Sequence, residues 1–203
     1  AITGDEILLA SGTFTGAGNR DLDFDGKAIL LRSVADDPDS CTIDCERLGR
    51  GFWFHSGEDT TSVVRAVRVE HGLPASGTKG GAVYCAGASP LLEHCVLAGN
   101  ESSAAGGAIA CVNAAPTLRF VLVTGNLSSE GGGIHADSTS TPTIVHSTIA
   151  SNRASLRGGG IYARGESKLN LGTTVLFRNC ADDAGAQAYL LAVTDSLSFD
   201  CCT

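Results

Sequence analysis

The chain of 203 residues contains no methionine, one tryptophan and three tyrosines, and its aromatic content is only 5 %. It has no run of about 20 apolar residues, so it offers no candidate for a transmembrane helix. Basic residues are scarce as well: 14 Lys and Arg stand against 22 Asp and Glu, for a net charge of −8. A nucleic-acid partner would need a basic stripe, which this balance does not supply. No signal peptide is visible. Yet the chain begins at Ala1 rather than Met, and it reads as processed or as a piece of a larger protein. The length fits one domain.

Glycine, by contrast, is abundant, at 26 residues. Asn100, Asn126, Asn152 and Asn179 recur at steps of 26, 26 and 27 residues, and glycine pairs keep pace with them at Gly80-Gly81, Gly106-Gly107, Gly132-Gly133 and Gly159-Gly160. A period in the twenties marks stacked repeats. Each unit runs from Gly-Gly-Ala/Gly-Ile/Val through a proline and several aliphatic residues to the asparagine. The proline position holds Pro90, Pro116 and Pro142, and then Lys168. A degenerate copy with Val64, Val67 and Val69 ends at Gly72, and a fading copy appears at Ala188-Tyr189-Leu190.

Within a unit the apolar residues alternate, as in Val83/Cys85 and Val67/Val69, which is the period of a strand and not of a helix. The runs are short and are broken by Gly, Asn, Ser and Pro, the residues of turns. Leucine-rich and helical-pair repeats would need longer amphipathic runs. The expected fold is therefore all-β: a right-handed, single-stranded parallel β-helix of roughly 6–7 rungs, about 26 residues per rung. Each rung is expected to hold three short strands and three turns, with rungs about 4.8 Å apart. One domain spans 1–203, with irregular rungs over 1–76, regular repeats over 77–180 and a last partial rung over 181–203. Val83, Ile109, Ile134 and Ile161 form one inward column, and Leu97, Val123, Ile149 and Leu176 another. A solenoid buries such columns only by stacking. The asparagines are expected to bond amide to amide along a turn, and the glycines to take backbone conformations closed to other residues at a tight corner.

The pairing of Gly-Gly-[Ala/Gly]-[Ile/Val] with an apolar-x-x-Asn resembles the repeat of right-handed parallel β-helix proteins of the pectin-lyase-like superfamily. It is also similar to the repeat of chlamydial polymorphic outer-membrane adhesins. Gly12-Thr-Phe-Thr-Gly16, Asn19 through Lys27, Leu31-Arg-Ser33 and Cys41-Thr-Ile-Asp-Cys45 before Gly51-Phe52 are similar to the first rungs of such domains. The resemblance covers nearly the whole chain and implies the fold; one fold hosts many functions. Family members place a capping helix before the first strand. Here Ile7-Leu8-Leu9 comes almost at once, and Phe199-Asp-Cys-Cys-Thr203 shows no cap. Uncapped solenoid ends expose strand edges, so a larger protein or a partner is expected to cover them.

Eight cysteines suggest an oxidising compartment. Cys85 and Cys111 share an inward column on adjacent rungs, within reach of a disulfide; a stack of free buried thiols is the alternative. Cys41 and Cys45 do not pair if their segment is extended. Cys180, Cys201 and Cys202 are candidates to clip the C-terminal rungs.

The resemblance implies two catalytic patterns to look for: a calcium site of several carboxylates with an Arg or Lys, or Asp clusters near Gly-His and Arg-x-Lys. Asp182-Asp183 is the acidic pair of the repeat region, has no Gly-His beside it, and reads as a solvated turn. Asp21-Leu-Asp23-Phe-Asp25-Gly26 imitates the start of an EF-hand loop, but Arg32 stands where a bidentate Glu is required. His55, His71, His94, His135 and His146 follow no metal spacing, and Phe120 separates His94 from His146 in their column. No catalytic residue, metal site or cofactor is assigned. Asn100-Glu-Ser102 and Asn126-Leu-Ser128 match the N-glycosylation pattern, but ladder asparagines would be buried and unmodified.

One outer column stands apart. Trp53, Tyr84, Ala110, His135, Tyr162 and Tyr189 alternate with inward residues and are expected to point outward, lining one face with a large share of the aromatics. Such side chains stack on sugars or anchor protein partners; packing under turns or neighbouring domains is the other use. The leading expectation is a non-catalytic, extracellular or cell-surface module. It would be a scaffold or an adhesion and assembly surface whose partners are other domains or subunits of a larger assembly. The alternatives are a polysaccharide lyase-like or hydrolase-like enzyme and a non-catalytic glycan-binding module.

Overall fold

A computed structural model describes residues 1–191 and the backbone of Ser196–Asp200. It is a parallel β-solenoid of about 7 turns, without an α-helix among the described residues. All strand pairs are parallel and collect into four sheets of eight, seven, four and six strands. One rung illustrates the path: Leu91–Glu93 in sheet I, Val96–Ala98 in sheet II, Glu101–Ala105 in sheet III and Ile109–Val112 in sheet IV.

The expectation of three strands per rung is thus corrected to four. The extra strand lies between the asparagine and the glycine pair, where Glu-Ser-Ser-Ala-Ala carries no apolar alternation. Its inward positions are Ser102 and Ser128, both buried. A register shift between Ser102 and Ala105 bends it into the glycine corner. Sheet III has only four strands because the earlier rungs pass this side without a strand.

The corners follow from single residues. Ala66, His94, Phe120, His146 and Thr173, with φ between 48° and 55°, turn the chain from sheet I into sheet II. The corner from sheet III to sheet IV uses two glycines for different reasons. Gly106 has φ 69°, while a Cβ on Gly107 would lie 2.2 Å from the carbonyl oxygen of Gly132 in the next rung. By conformation the equivalent pairs in the following rungs are Gly131-Gly132 and Gly158-Gly159, each one residue earlier than the pairs Gly132-Gly133 and Gly159-Gly160 read from the sequence.

Inside, Val83, Ile109, Ile134 and Ile161 are in register along sheet IV and fully buried. Leu97, Val123 and Ile149 do the same along sheet II, and Leu176 continues their column partly buried. A third column, Val64, Leu92, Leu118 and Ile144, lies under sheet I. Each such side chain contributes about 2 kcal/mol by leaving water. Toward the N-terminus Phe24, Phe52 and Phe54 fill the core with ring centroids 5.2 to 6.3 Å apart.

The four asparagines form one buried chain of hydrogen bonds at the corner from sheet II to sheet III. The Nδ2 of Asn100 donates to Oδ1 of Asn126 (3.1 Å), that of Asn126 to Asn152 (2.8 Å) and that of Asn152 to Asn179 (2.9 Å). Each Oδ1 also accepts the backbone N–H of the preceding asparagine, at 2.9 to 3.0 Å. Each Nδ2 reaches a carbonyl of the strand before, as Asn126 does to Leu97 (3.0 Å). The row is closed by the N–H of Gly72, which donates to Asn100, and by Oε1 of Gln187, which accepts from Asn179. Both asparagines of the glycosylation patterns therefore lie inside the protein, each 1 % exposed.

Of the two readings of the cysteine pair, the structure carries the stack of buried thiols. Cys85 and Cys111 sit opposite each other on adjacent rungs, but both are free thiols, as are Cys41, Cys45, Cys95 and Cys180. Burial pushes Cys85 well above its ordinary value and Cys111 up to about 12, so neither forms a thiolate readily. The clip by Cys201 and Cys202 lies outside the described residues.

Candidate functional site

The outward side of sheet IV carries a set of aromatic and cationic groups in contact with one another. Strand alternation and register place Trp53, Tyr84, Ala110, His135, Tyr162 and Tyr189 in a single column across six rungs. Their exposure differs from the expectation. Trp53 is 40 % exposed and Tyr84 and Tyr189 are half-buried, but His135 is 0 % and Tyr162 1 % exposed. His135 and Tyr162 stack on each other and Tyr162 on Tyr189, and Lys79 and Arg164 from other rungs meet at Asp137 beside them.

At the Trp53 end, the guanidinium of Arg50 lies 5.6 Å from the Trp53 ring and 5.3 Å from the Tyr84 ring. It is fixed there by the Lys79 carbonyl (2.9 Å) and by Asp21 (3.3 Å). At the other end the rings stack: His135 on Tyr162 at 5.4 Å, and Tyr162 on Tyr189 at 5.7 Å, with Arg157 over Tyr189 at 5.4 Å. Between them is a clasp. Lys79 precedes the strand of Tyr84, yet its Nζ donates to Oδ2 of Asp137 at 2.8 Å, two rungs further on. Arg164 donates to the same oxygen at 2.7 Å from the rung after, and its other nitrogen lies 4.0 Å from Glu130 of sheet III.

This arrangement sets the electrostatics. Burial would raise the carboxyl of Asp137, but hydrogen bonds from Arg164 and Lys79 outweigh it and hold the group well below the usual carboxylate range. Burial, and then the charge of Lys79, push His135 down to about 3, so its imidazole is neutral. Neither ring nitrogen of His135 has a hydrogen-bond partner among the described residues.

Other groups are dispersed. Asp23, Phe24 and Asp25 of the EF-hand-like segment diverge: Phe24 enters the core, Asp25 pairs with Lys27 at 2.6 Å and Asp23 with His55 at 3.0 Å. His94, Phe120 and His146 stack at an exposed corner with centroids 4.8 and 5.1 Å apart. Asp182 and Asp183 pair with Arg153 and Arg157 of the preceding rung. Asp44, Glu70 and His71 bring one ligand atom each within 4.8 Å on the outside of sheet II. The periodicity does not reveal this last group, because His71 belongs to a turn. A shallow cleft of about 490 Å³ crosses sheet I between Leu30, Val63 and Leu91 and the charged Arg32, Arg65, Asp36 and Glu93. The acids and arginines there are already paired, Arg65 with Asp36 at 2.7 Å and with Glu93 at 3.4 Å.

No family model matches the chain, and neither the curated proteins nor the solved structures contain a significant match.

Proposed function

We propose that this protein is a non-catalytic β-helix module, built as a rigid scaffold whose sheet IV strip is an adhesion or assembly surface in a larger extracellular or cell-surface protein. The observation that carries the reading is the strip itself. Trp53, Tyr84 and Tyr189, with Arg50 and Arg157 against their rings, are the residue types that anchor interfaces, and they stand on paired strands that cannot move independently. The resemblance to the pectin-lyase-like superfamily and to outer-membrane adhesins supports both the surface role and the extracellular location. Cysteine does not, since the described thiols are free.

A glycan-binding module is the second reading, favoured by the exposed Trp53 ring. The lyase-like reading is the weaker one. On this strip no group of three metal-type ligands stands beside Lys79 and Arg164 among the described residues; the group of that kind, Asp44, Glu70 and His71, lies on sheet II.

The test is a glycan and protein-ligand array probed with the chain, run beside a lyase assay on pectate and alginate with calcium. Binding that disappears in Trp53→Ala/Tyr84→Ala, without turnover, is the expected result. Turnover would put the enzyme reading first.

A further inference from the structure

His135 is the least explained residue of the protein. A buried polar group normally finds a partner, and one left without any calls for a reason. Here the imidazole has two orphaned nitrogens and no exposure, although it lies on the outward side of its sheet. A phenyl ring in that column would pack on Tyr162 without the penalty of burying two unpaired polar atoms. Nothing in the core requires a histidine at this point, because the inward neighbours Ile134 and Ala136 make the core contacts.

Near the ring stands a set of charges around one carboxylate. Asp137 is two residues along the same strand and faces the same way, and its Oδ2 takes hydrogen bonds from both Lys79 and Arg164. Glu130 of sheet III backs Arg164, and Tyr162 lies against the imidazole. Two cations from rungs on either side thus converge on a single acid beside an unused hydrogen-bond donor. With Glu130 counted the set is neutral, in a chain of net charge −8.

We propose that the Lys79–Asp137–Arg164 clasp is a docking site for an acidic side chain of a protein partner. In the free protein Asp137 occupies the site as a resident plug, and His135 is the donor that an incoming carboxylate gains and Asp137 lacks. On docking, the partner's Asp or Glu takes the place of Asp137 between Lys79 and Arg164. Asp137 turns to water, and the imidazole N–H donates to the new carboxylate. A peptide partner is favoured over an acidic polysaccharide because the group to be replaced is itself an aspartate presented by an extended strand. The flanking Tyr84, Tyr189 and Arg50 are also protein-interface residues. The inference rests on reading sheet IV as the binding strip and names the chemistry of its partner.

The experiment measures fluorescence anisotropy of a labelled peptide of alternating Asp and Gly, with an Asn/Gly peptide as control and oligogalacturonate as a second acidic probe. The whole chain is used with four variants, and the melting temperature of each is recorded. His135→Phe should raise the melting temperature and weaken acidic-peptide binding about tenfold, the size of one lost hydrogen bond to a charge. Asp137→Asn, which keeps the shape of the plug but removes its charge, should tighten binding. Lys79→Met/Arg164→Met should abolish it. A lower melting temperature for His135→Phe would mean that the ring has a structural partner, and would overturn the proposal. Peptide binding indifferent to His135 and Asp137 but lost in Trp53→Ala would overturn the clasp and leave the strip as the binding surface. Oligogalacturonate binding with the peptides silent would overturn the choice of partner, and silence of both acidic probes would overturn the acid-docking role altogether.

Discussion

At the scale of single residues, two buried polar side chains behave in opposite ways. Asn126 has its amide fully used: it accepts two hydrogen bonds and donates two. Asn126→Ala strands donors and acceptors on both neighbouring rungs, and should cost a few kcal/mol in denaturant unfolding; a change under about 0.3 kcal/mol would mean the column is not a buried ladder. His135 has nothing used, and its pH dependence follows. Its pKa falls from the ordinary 6.5 to about 3. Above pH 6.5 the ring is neutral folded and unfolded, and adds no pH dependence. Below it the unfolded chain takes up a proton that the folded ring refuses, so stability is lost as pH falls toward 3. Asp137, held low by Arg164 and Lys79, stays ionised across that window. The stability advantage of His135→Phe over the parent chain should therefore widen from pH 7 to pH 4, by a few kcal/mol at most. Parallel curves for the two proteins would rule out a buried neutral imidazole. The alternation of the sequence tells which side of the strand His135 takes. It cannot tell that the side is buried, because the groups gathered there, Lys79 and Arg164 among them, come from other rungs.

At the scale of the strand and corner, the two kinds of glycine should respond differently to the same change. Gly99 has φ 63° and open space around a would-be Cβ, and the equivalent corner positions are filled by Ser151 (φ 58°) and Arg178 (φ 53°). Gly99→Ala should cost about 1 kcal/mol, the strain of a left-handed backbone alone. Gly107→Ala would drive a methyl group into the carbonyl of Gly132 and the amide of Leu127, and should cost about 3 kcal/mol or more, or prevent folding. Equal losses at the two sites, read from urea midpoints, would contradict the close rung approach. The aliphatic columns and the asparagine row are legible in the sequence because each is a fixed offset repeated every rung. The sheet III strand is not, since serine and alanine fill both of its faces. Cys85 and Cys111 show a similar limit: spacing brings two residues opposite each other, but opposition on adjacent rungs serves packing as well as bonding. Under non-reducing denaturation both should be alkylated as thiols, and Cys180 alone among the described cysteines should react rapidly in the folded chain.

At the scale of the whole molecule, stability rests on stacking. The ion pairs that bridge rungs on the outer faces, such as Arg32–Glu6 and Arg153–Asp182, are exposed. Pairs of that kind contribute about 1 kcal/mol or less each. The hydrophobic columns and the asparagine row run through the regular rungs, so disturbing one rung disturbs its neighbours, and the outer strip inherits their rigidity. That rigidity is the premise of a scaffold that presents a surface, and amide hydrogen exchange tests it directly. The backbone N–H groups of Asn100, Asn126 and Asn152, each bonded to the side chain of the next asparagine, should be among the slowest in the chain and should exchange together, through global unfolding. Exchange of these three as fast as that of the N–H groups of the exposed corner residues Gly99 and Gly125, or at rates that differ from rung to rung, would contradict a cooperatively stacked scaffold.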